Sequence, residues 1–198
     1  VQHLDPTHKA MLAELLQRSC QMPVREAAEG MAVEPDVVYV IPPNAELTVA
    51  SDRLHLGTPA QPRGLRLPID VLFSSLARDQ GERAIGVVLS GMGSDGTLGL
   101  QAIRSRGGLT LTQLPESAPF DSMPRAAIAT GAVDIVALPA EMPARILRIT
   151  ASQPPAPPPA AATAPDDTHH DTHPLTTILA LLRERSKHDL SLYKPSTL

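Results

Sequence analysis

The chain has 198 residues, of which 42% are apolar and 2% aromatic, and its 17 Lys and Arg against 21 Asp and Glu leave a net charge of −4. That length holds one full domain with a real core, or one domain and a tail, and the core must be aliphatic. With no Trp and an acidic balance, the composition excludes base stacking and a basic face for phosphate backbones, so no nucleic-acid partner is expected. The single cysteine, Cys20, rules out an internal disulfide and suits a reducing compartment, so a cytoplasmic location is expected. Apolar runs such as Val87-Val88-Leu89 are far too short to span a membrane. No charged-then-apolar leader opens the chain.

Residues 1–3 read as the end of a strand. Asp5-Pro6 then offers an N-cap and a proline for the first helical turn, and Met11, Leu12, Leu15 and Leu16 follow at helical spacing. Cys20 follows this helix and reads as a buried or half-buried bystander. Residues 37–41 are a β-rich run stopped by Pro42-Pro43. Residues 47–50 and 53–56 flank Ser51-Asp52 as the two arms of a hairpin. The spacing predicts an amphipathic helix over 69–80, with Val71, Leu72, Ser75 and Leu76 along one face. Residues 84–89 form a continuous apolar strand of the kind buried on both faces. A helix over 96–106 ends at Gly107-Gly108, a natural C-cap. A strand over 109–112, a helix over 123–130, a strand over 132–137 and a helix over 140–149 complete the body. This alternation predicts an α/β domain, a doubly wound, mainly parallel sheet with helices on both faces in a Rossmann-like three-layer arrangement.

Seven of the 21 prolines fall between Pro154 and Pro174. Residues 152–173 therefore read as a Pro/Ala-rich, extended linker. It separates a domain over 1–151 from a tail over 174–198. Leu175, Ile178, Leu179 and Leu182 predict a short amphipathic helix in that tail. The linker's His169-His170-Asp171-Thr172-His173 reads as solvated chain, because a specific metal site needs preorganised ligands. No metal or cofactor is expected.

The stretch with most chemistry is Val87-Val88-Leu89-Ser90-Gly91-Met92-Gly93-Ser94-Asp95-Gly96, a buried strand running through a glycine turn into a helix. Ligand and catalytic groups in parallel sheets gather at such strand ends. Amides at a helix start can hold an anion or a developing oxyanion. Three readings stand. Gly91, Gly93 and Gly96 match the dinucleotide fingerprint G-x-G-x-x-G, with Glu116 about twenty residues on. Against this, strand 109–112 runs into Gln113-Leu114, with no acid at its tip, and Asp95 sets a carboxylate where a pyrophosphate belongs. The turn can instead be purely structural. Or Asp95 is catalytic and orients a histidine that serves as general base. His3 closes a strand at the same sheet edge if the two strands are parallel. His8 and His55 stand in no motif. No G-x-S-x-G elbow is present, and the Ser90 and Ser94 hydroxyls fit helix capping better than attack.

Together Val1-Gln2-His3, Pro68-Ile69-Asp70-Val71-Leu72-Phe73 with Ser74-Ser75-Leu76-Ala77, the Gly91-to-Gly96 turn and Met123-Pro124-Arg125-Ala126-Ala127 resemble the catalytic domain of the protein-glutamate methylesterases of bacterial chemotaxis, the CheB family. The resemblance covers nearly the whole body. It implies a doubly wound α/β fold and a Ser-His-Asp triad that hydrolyses glutamyl methyl esters on chemoreceptor cytoplasmic helices, releasing methanol. Glutamine deamidation is implied as well. The family's His falls on His3, its Asp on Asp95, and the Met of its Gly-Met-Gly turn, with Gly91 and Gly93, on Met92, at the oxyanion site. His3 is then the general base and Asp95 the carboxylate that fixes its tautomer.

The family's nucleophilic Ser lies on a turn after the first strand, well before the His, and here the His is residue 3. The expectation is that the chain starts between the nucleophile and His3, and that residues 1–198 alone have no esterase activity. Lys187-His188-Asp189-Leu190-Ser191, with Tyr193-Lys194, is similar to the start of the chemoreceptor glutamate methyltransferases, the CheR family. Leu190 stands where that family usually has Phe. This similarity implies a fused esterase–transferase signalling protein, with sensory or receiver domains in the longer polypeptide. Two other functions stay open: a non-catalytic module that only binds receptor or partner, and a nicotinamide-dependent oxidoreductase using the glycine turn.

Overall fold

Short β-branched runs alternate with helical repeats along the chain, and the computed structural model folds them in that order. It describes residues 12–59, 61, 62 and 65–152. The expected first strand with His3, the linker and the tail helix lie outside the described residues.

Helix α1 (Leu12–Gln17) leads to a parallel pair, β1 (Val24–Glu26) with β2 (Val38–Val40). Strand β1 has too few apolar residues to stand out in the sequence. It is held by the Gln17 side chain, whose Oε1 accepts the Val24 N–H at 2.8 Å. An antiparallel hairpin follows, β3 (Glu46–Ala50) and β4 (Arg53–Gly57). Ser51 and Asp52 both have positive φ, at 51° and 55°. A two-residue type I′ turn requires this, and its twist matches the strands. The left-handed turn is steadied from helix α2 (Pro68–Gln80). Asp79 Oδ1 accepts the Ser51 N–H at 2.6 Å, and Oδ2 accepts the Asp52 N–H at 3.3 Å. Partial burial pushes the Asp79 carboxyl up, but the Gln80 amide, these two backbone donors and Arg83 outweigh it and hold it below its ordinary 3.8. A carboxyl depressed in the folded state contributes stability above that value and loses it as pH falls through the folded pKa. Asp79→Ala is therefore expected to cost about 1 kcal/mol at pH 7 and less at pH 3, read from urea denaturation at both pH values.

The main sheet has strand order β5 (Ile85–Val88), β6 (Leu109–Gln113), β7 (Ile135–Ala137), all parallel. Helix α3 (Thr97–Ser105) crosses from β5 to β6, and α4 (Ser122–Ala129) from β6 to β7. The register pairs Gly86 with Thr110 and Val88 with Thr112 on one face. There Val88 packs with Ile69, Phe73 and Ala77 of α2, Leu100 and Ile103 of α3, and Met123 and Ala127 of α4. On the other face Ile85, Val87, Leu109, Leu111 and Ile135 meet Met142 and Ile146 of α5 (Met142–Ser152). Helices thus cover both faces, the α/β architecture expected from the alternation.

Two details differ from the sequence reading. The buried side of α2 is wider than one stripe. Ile69, Phe73 and Ala77 enter the sheet core, while Leu72 and Leu76 also join Ile41, Leu47, Val49 and Leu54 in a second core under the hairpin. Ser75 lies between them because its Oγ accepts the Val49 N–H at 3.0 Å and donates to the Leu72 carbonyl. Strand β5 is not equally buried on both faces: Gly86 and Val88 are buried, Ile85 and Val87 half-buried, and Leu89 beyond its end is exposed. Among the described residues, no helix is long and apolar enough to cross a membrane.

Candidate active site

Strands β5 and β6 end side by side, and the loops that leave them are stitched together by hydrogen bonds. Buried Gln113, at the tip of β6, accepts the Ser90 N–H at 2.9 Å through Oε1 and donates from Nε2 to the Ser117 carbonyl. The Ser90 hydroxyl accepts the Phe120 N–H at 3.0 Å and lies 3.3 Å from the Phe120 carbonyl. Ser90 is thus a loop fastener and caps no helix. Neither does the Ser94 side chain; the Ser94 carbonyl accepts from the Thr97 N–H and hydroxyl.

Within the turn the three backbone amides have different fates. The Gly91 N–H donates to the Phe120 carbonyl at 2.9 Å, and the Gly91 carbonyl accepts from the Ser122 hydroxyl and the Met123 N–H. The Gly93 N–H donates to the Ser122 hydroxyl at 3.0 Å. Gly93 has φ +90°, a backbone that L side chains rarely adopt, and so turns the chain back towards α3. No described residue accepts the Met92 N–H, and the Met92 side chain is 74% exposed. Of the three residues expected at an oxyanion site, Gly91 and Gly93 shape the turn with their amides spent, and only Met92 has an amide without an acceptor among the described residues.

Asp95 is 4% exposed at the end of the turn. Its Oδ2 accepts the Ile69 N–H at 3.0 Å and its Oδ1 the Asp70 N–H at 2.9 Å. Helix α2 starts at Leu67-Pro68 with no side-chain cap of its own, so Asp95 supplies the cap from across the sheet edge. The arrangement is reciprocal. Helix α3 follows Gly96, which has no side chain to cap it. Its cap is Asp70, in the first turn of α2, whose Oδ1 accepts the Gly99 N–H at 2.7 Å. Each carboxylate accepts backbone N–H at the start of the other's helix. Burial pushes the Asp70 carboxyl above its ordinary 3.8, the amide donors oppose this, and the Asp95 charge adds to it.

Sequence reasoning missed Asp70. The signal was there: an acid in the first turn of one helix, and Leu67 and Gly96 where local caps belong. The motif Met123-Pro124-Arg125-Ala126-Ala127 divides by burial. Met123, Pro124 and Ala127 are buried. Arg125 lies outside, bonded to Asp121 at 2.6 Å and 3.7 Å from Glu116. The hydrogen bond and the facing charges hold Asp121 below and Arg125 above their ordinary values.

This geometry rejects the dinucleotide reading. The Gly99 amide in the first turn of α3, where a pyrophosphate would bind, is occupied by the Asp70 carboxylate, and Glu116 sits on a short 3-10 turn facing Arg125, not at the tip of β6. Cys20 is half-buried and unbonded to any disulfide partner. His3 lies outside the described residues.

A parallel sheet with crossover helices, carrying a buried carboxylate and an open amide at the carboxyl ends of its strands, defines an α/β protein with its functional loops at that edge. The family model described as CheB methylesterase matches residues 1–146, and the chain belongs to that family. The fold is similar to the crystal structure of the Thermotoga maritima CheB methylesterase catalytic domain, with a TM-score of 0.67 at 26% identity, over 75% of this chain and 80% of that one. A protein-glutamate methylesterase/protein-glutamine glutaminase of Paraburkholderia xenovorans is 37% identical over 150 residues, 74% of this chain and 41% of the relative. An uncharacterized 104.1 kDa protein of Rhodobacter capsulatus is 46% identical over 123 residues, 62% of this chain and 13% of the relative. The chain therefore spans less than half the length of these two relatives.

Proposed function

We propose that the domain over 1–151 hydrolyses glutamyl methyl esters on the cytoplasmic helices of methylated chemoreceptors, giving glutamate and methanol, and that it works in the cytoplasm. Glutamine deamidation follows from the same chemistry, with ammonia as leaving group. The observation that carries the reading is the turn itself. The Met92 amide, with no acceptor among the described residues, stands in the same short loop as the buried carboxylate of Asp95. In the proposed reaction a serine oxygen attacks the ester carbonyl while His3 takes its proton. The Met92 N–H donates to the oxyanion, and Asp95 holds the imidazole tautomer. His3 returns the proton to the departing methoxide, and a water activated by His3 then releases glutamate and the serine.

The domain is also proposed to belong to a fused esterase–methyltransferase, with 152–173 as linker and 174–198 as the start of the transferase. The tail motif at Lys187-His188-Asp189 supports this, as does the length of the Rhodobacter relative.

The serine is proposed to lie on a strand and turn that precede His3. The test uses methyl-labelled receptor, assayed for released methanol with residues 1–198 and with the same chain extended by the first strand and Ser turn of the Paraburkholderia relative. Release by the extended chain alone is expected. Equal release by residues 1–198 would place the nucleophile elsewhere. Release by neither would leave a binding module without turnover.

A further inference from the structure

The reciprocal capping of α2 and α3 carries a consequence for the site, and it rests on the triad reading just given. We propose that Asp70 is a positioning residue for Asp95. It touches no substrate. Its carboxylate ties the Gly99 amide, in the first turn of α3, to the first turn of α2, and so fixes the helix start that follows the loop carrying Asp95. The Asp95 oxygens are in turn aimed by the Ile69 and Asp70 amides. The backbone of residue 70 holds Asp95 while its side chain holds the helix that Asp95 precedes. The two bonds form a closed ring between two helix starts. Opening it at Asp70 frees the loop to shift against α2 while the core beneath stays in place.

Two further features make the ring more than a stability device. Glycine at 96 gives α3 no cap of its own, so nothing else among the described residues takes over the Gly99 amide. The same loop also holds the open Met92 amide, three residues before Asp95. A shift of this loop therefore moves the oxyanion donor and the orienting carboxylate together.

NMR on the full 198-residue chain tests this without requiring turnover. Asp70→Asn keeps the side-chain volume but replaces the charged acceptor of the Gly99 N–H by a neutral, weaker one. Two signals are followed. The Ile69 amide proton reports its bond to Asp95 directly. The His3 imidazole, identified by its loss in His3→Gln, reports through its pKa whether the Asp95 carboxylate pairs with it as the proposed triad requires. An adjacent carboxylate raises a histidine pKa, so Asp95→Asn is expected to lower that of His3 by about one unit or more. Asp70→Asn is expected to shift the Ile69 amide upfield and to lower the His3 pKa by a smaller amount. In the Asp95→Asn background it should change His3 no further, because the effect passes through Asp95.

An unchanged Ile69 amide in Asp70→Asn overturns the proposal. So does an equal drop in His3 pKa in both backgrounds, which would be a direct field effect of the Asp70 charge. If Asp95→Asn leaves His3 unmoved, the triad reading fails and the proposal falls with it. Should Asp95→Asn not fold, the Ile69 amide in Asp70→Asn alone decides.

Discussion

In the chain supplied with a family serine turn, Asp95→Ala is expected to lower methanol release by about three to four orders of magnitude. The loss comes from two sources that can be separated. One is chemical in the proposed triad: without the carboxylate, nothing would fix the His3 tautomer or balance the imidazolium formed when serine gives up its proton. The other is structural. The Ile69 and Asp70 amides, each bonded to one Asp95 oxygen, would be left buried without an acceptor. A buried donor left unmade costs about 1–3 kcal/mol. Asparagine is no clean replacement. Both Asp95 oxygens accept N–H groups, and a carboxamide offers one oxygen and one NH2, so one backbone donor would face another donor. Asp95→Asn is thus expected to lose about 1–3 kcal/mol of stability as well as most of its turnover. Urea denaturation gives the first quantity. Initial rates, measured where both proteins are fully folded, give the second. A folded Asp95→Asn protein with wild-type rates would remove Asp95 from the mechanism, whatever its melt.

The capping role of Asp95, made across 25 and 26 residues, also marks the limit of what the sequence makes visible. The hairpin was legible because Ser51-Asp52 is a local signal: two residues that tolerate positive φ between two β-rich arms. The main sheet was legible because Val87-Val88 and Leu109 to Thr112 are followed by helical spacing and glycines. What escaped were features made by long-range pairing. Strand β1 is three residues with one apolar side chain, and it exists because β2 and the Gln17 side chain hold it. Ser90 and Ser94 are the cap candidates nearest to α3 in sequence, but its cap comes from Asp70, 29 residues from the Gly99 amide that it holds. The two faces of α2 were read as one, since a period of 3.6 marks a single stripe and cannot tell that two cores flank the helix. At the site, the glycine turn and Asp95 were legible, while the division of labour among Gly91, Met92 and Gly93 was not. It depends on where Phe120 and Ser122 lie, about thirty residues away in sequence.

The ring between α2 and α3 also fixes how closely the two helices approach, and Gly99 is where the approach is tightest. A Cβ at Gly99 would lie 2.4 Å from the Phe73 Cβ and 3.1 Å from its Cγ. The clash is with the root of the Phe73 side chain, so a change of rotamer cannot relieve it. The helices cannot slide apart either, because Asp70 binds the Gly99 amide and Asp95 binds the start of α2. Gly99→Ala is therefore expected to destabilise by about 2–3 kcal/mol, even after the gain of about 1 kcal/mol that alanine brings to a helix interior. Gly93→Ala is the informative comparison. Nothing lies within 4 Å of a Cβ there, but φ is +90°, so its cost of about 1–2 kcal/mol is backbone strain alone. Urea denaturation of both variants, of Phe73→Gly, which removes the clashing Cβ, and of Gly99→Ala with Phe73→Gly separates crowding from strain. Crowding at Phe73 predicts a double variant whose loss is smaller than the sum of the singles. Full additivity, or a Gly99→Ala protein as stable as the parent, would mean that α2 and α3 can part. The two carboxylates would then not hold the helices as tightly as their hydrogen bonds imply.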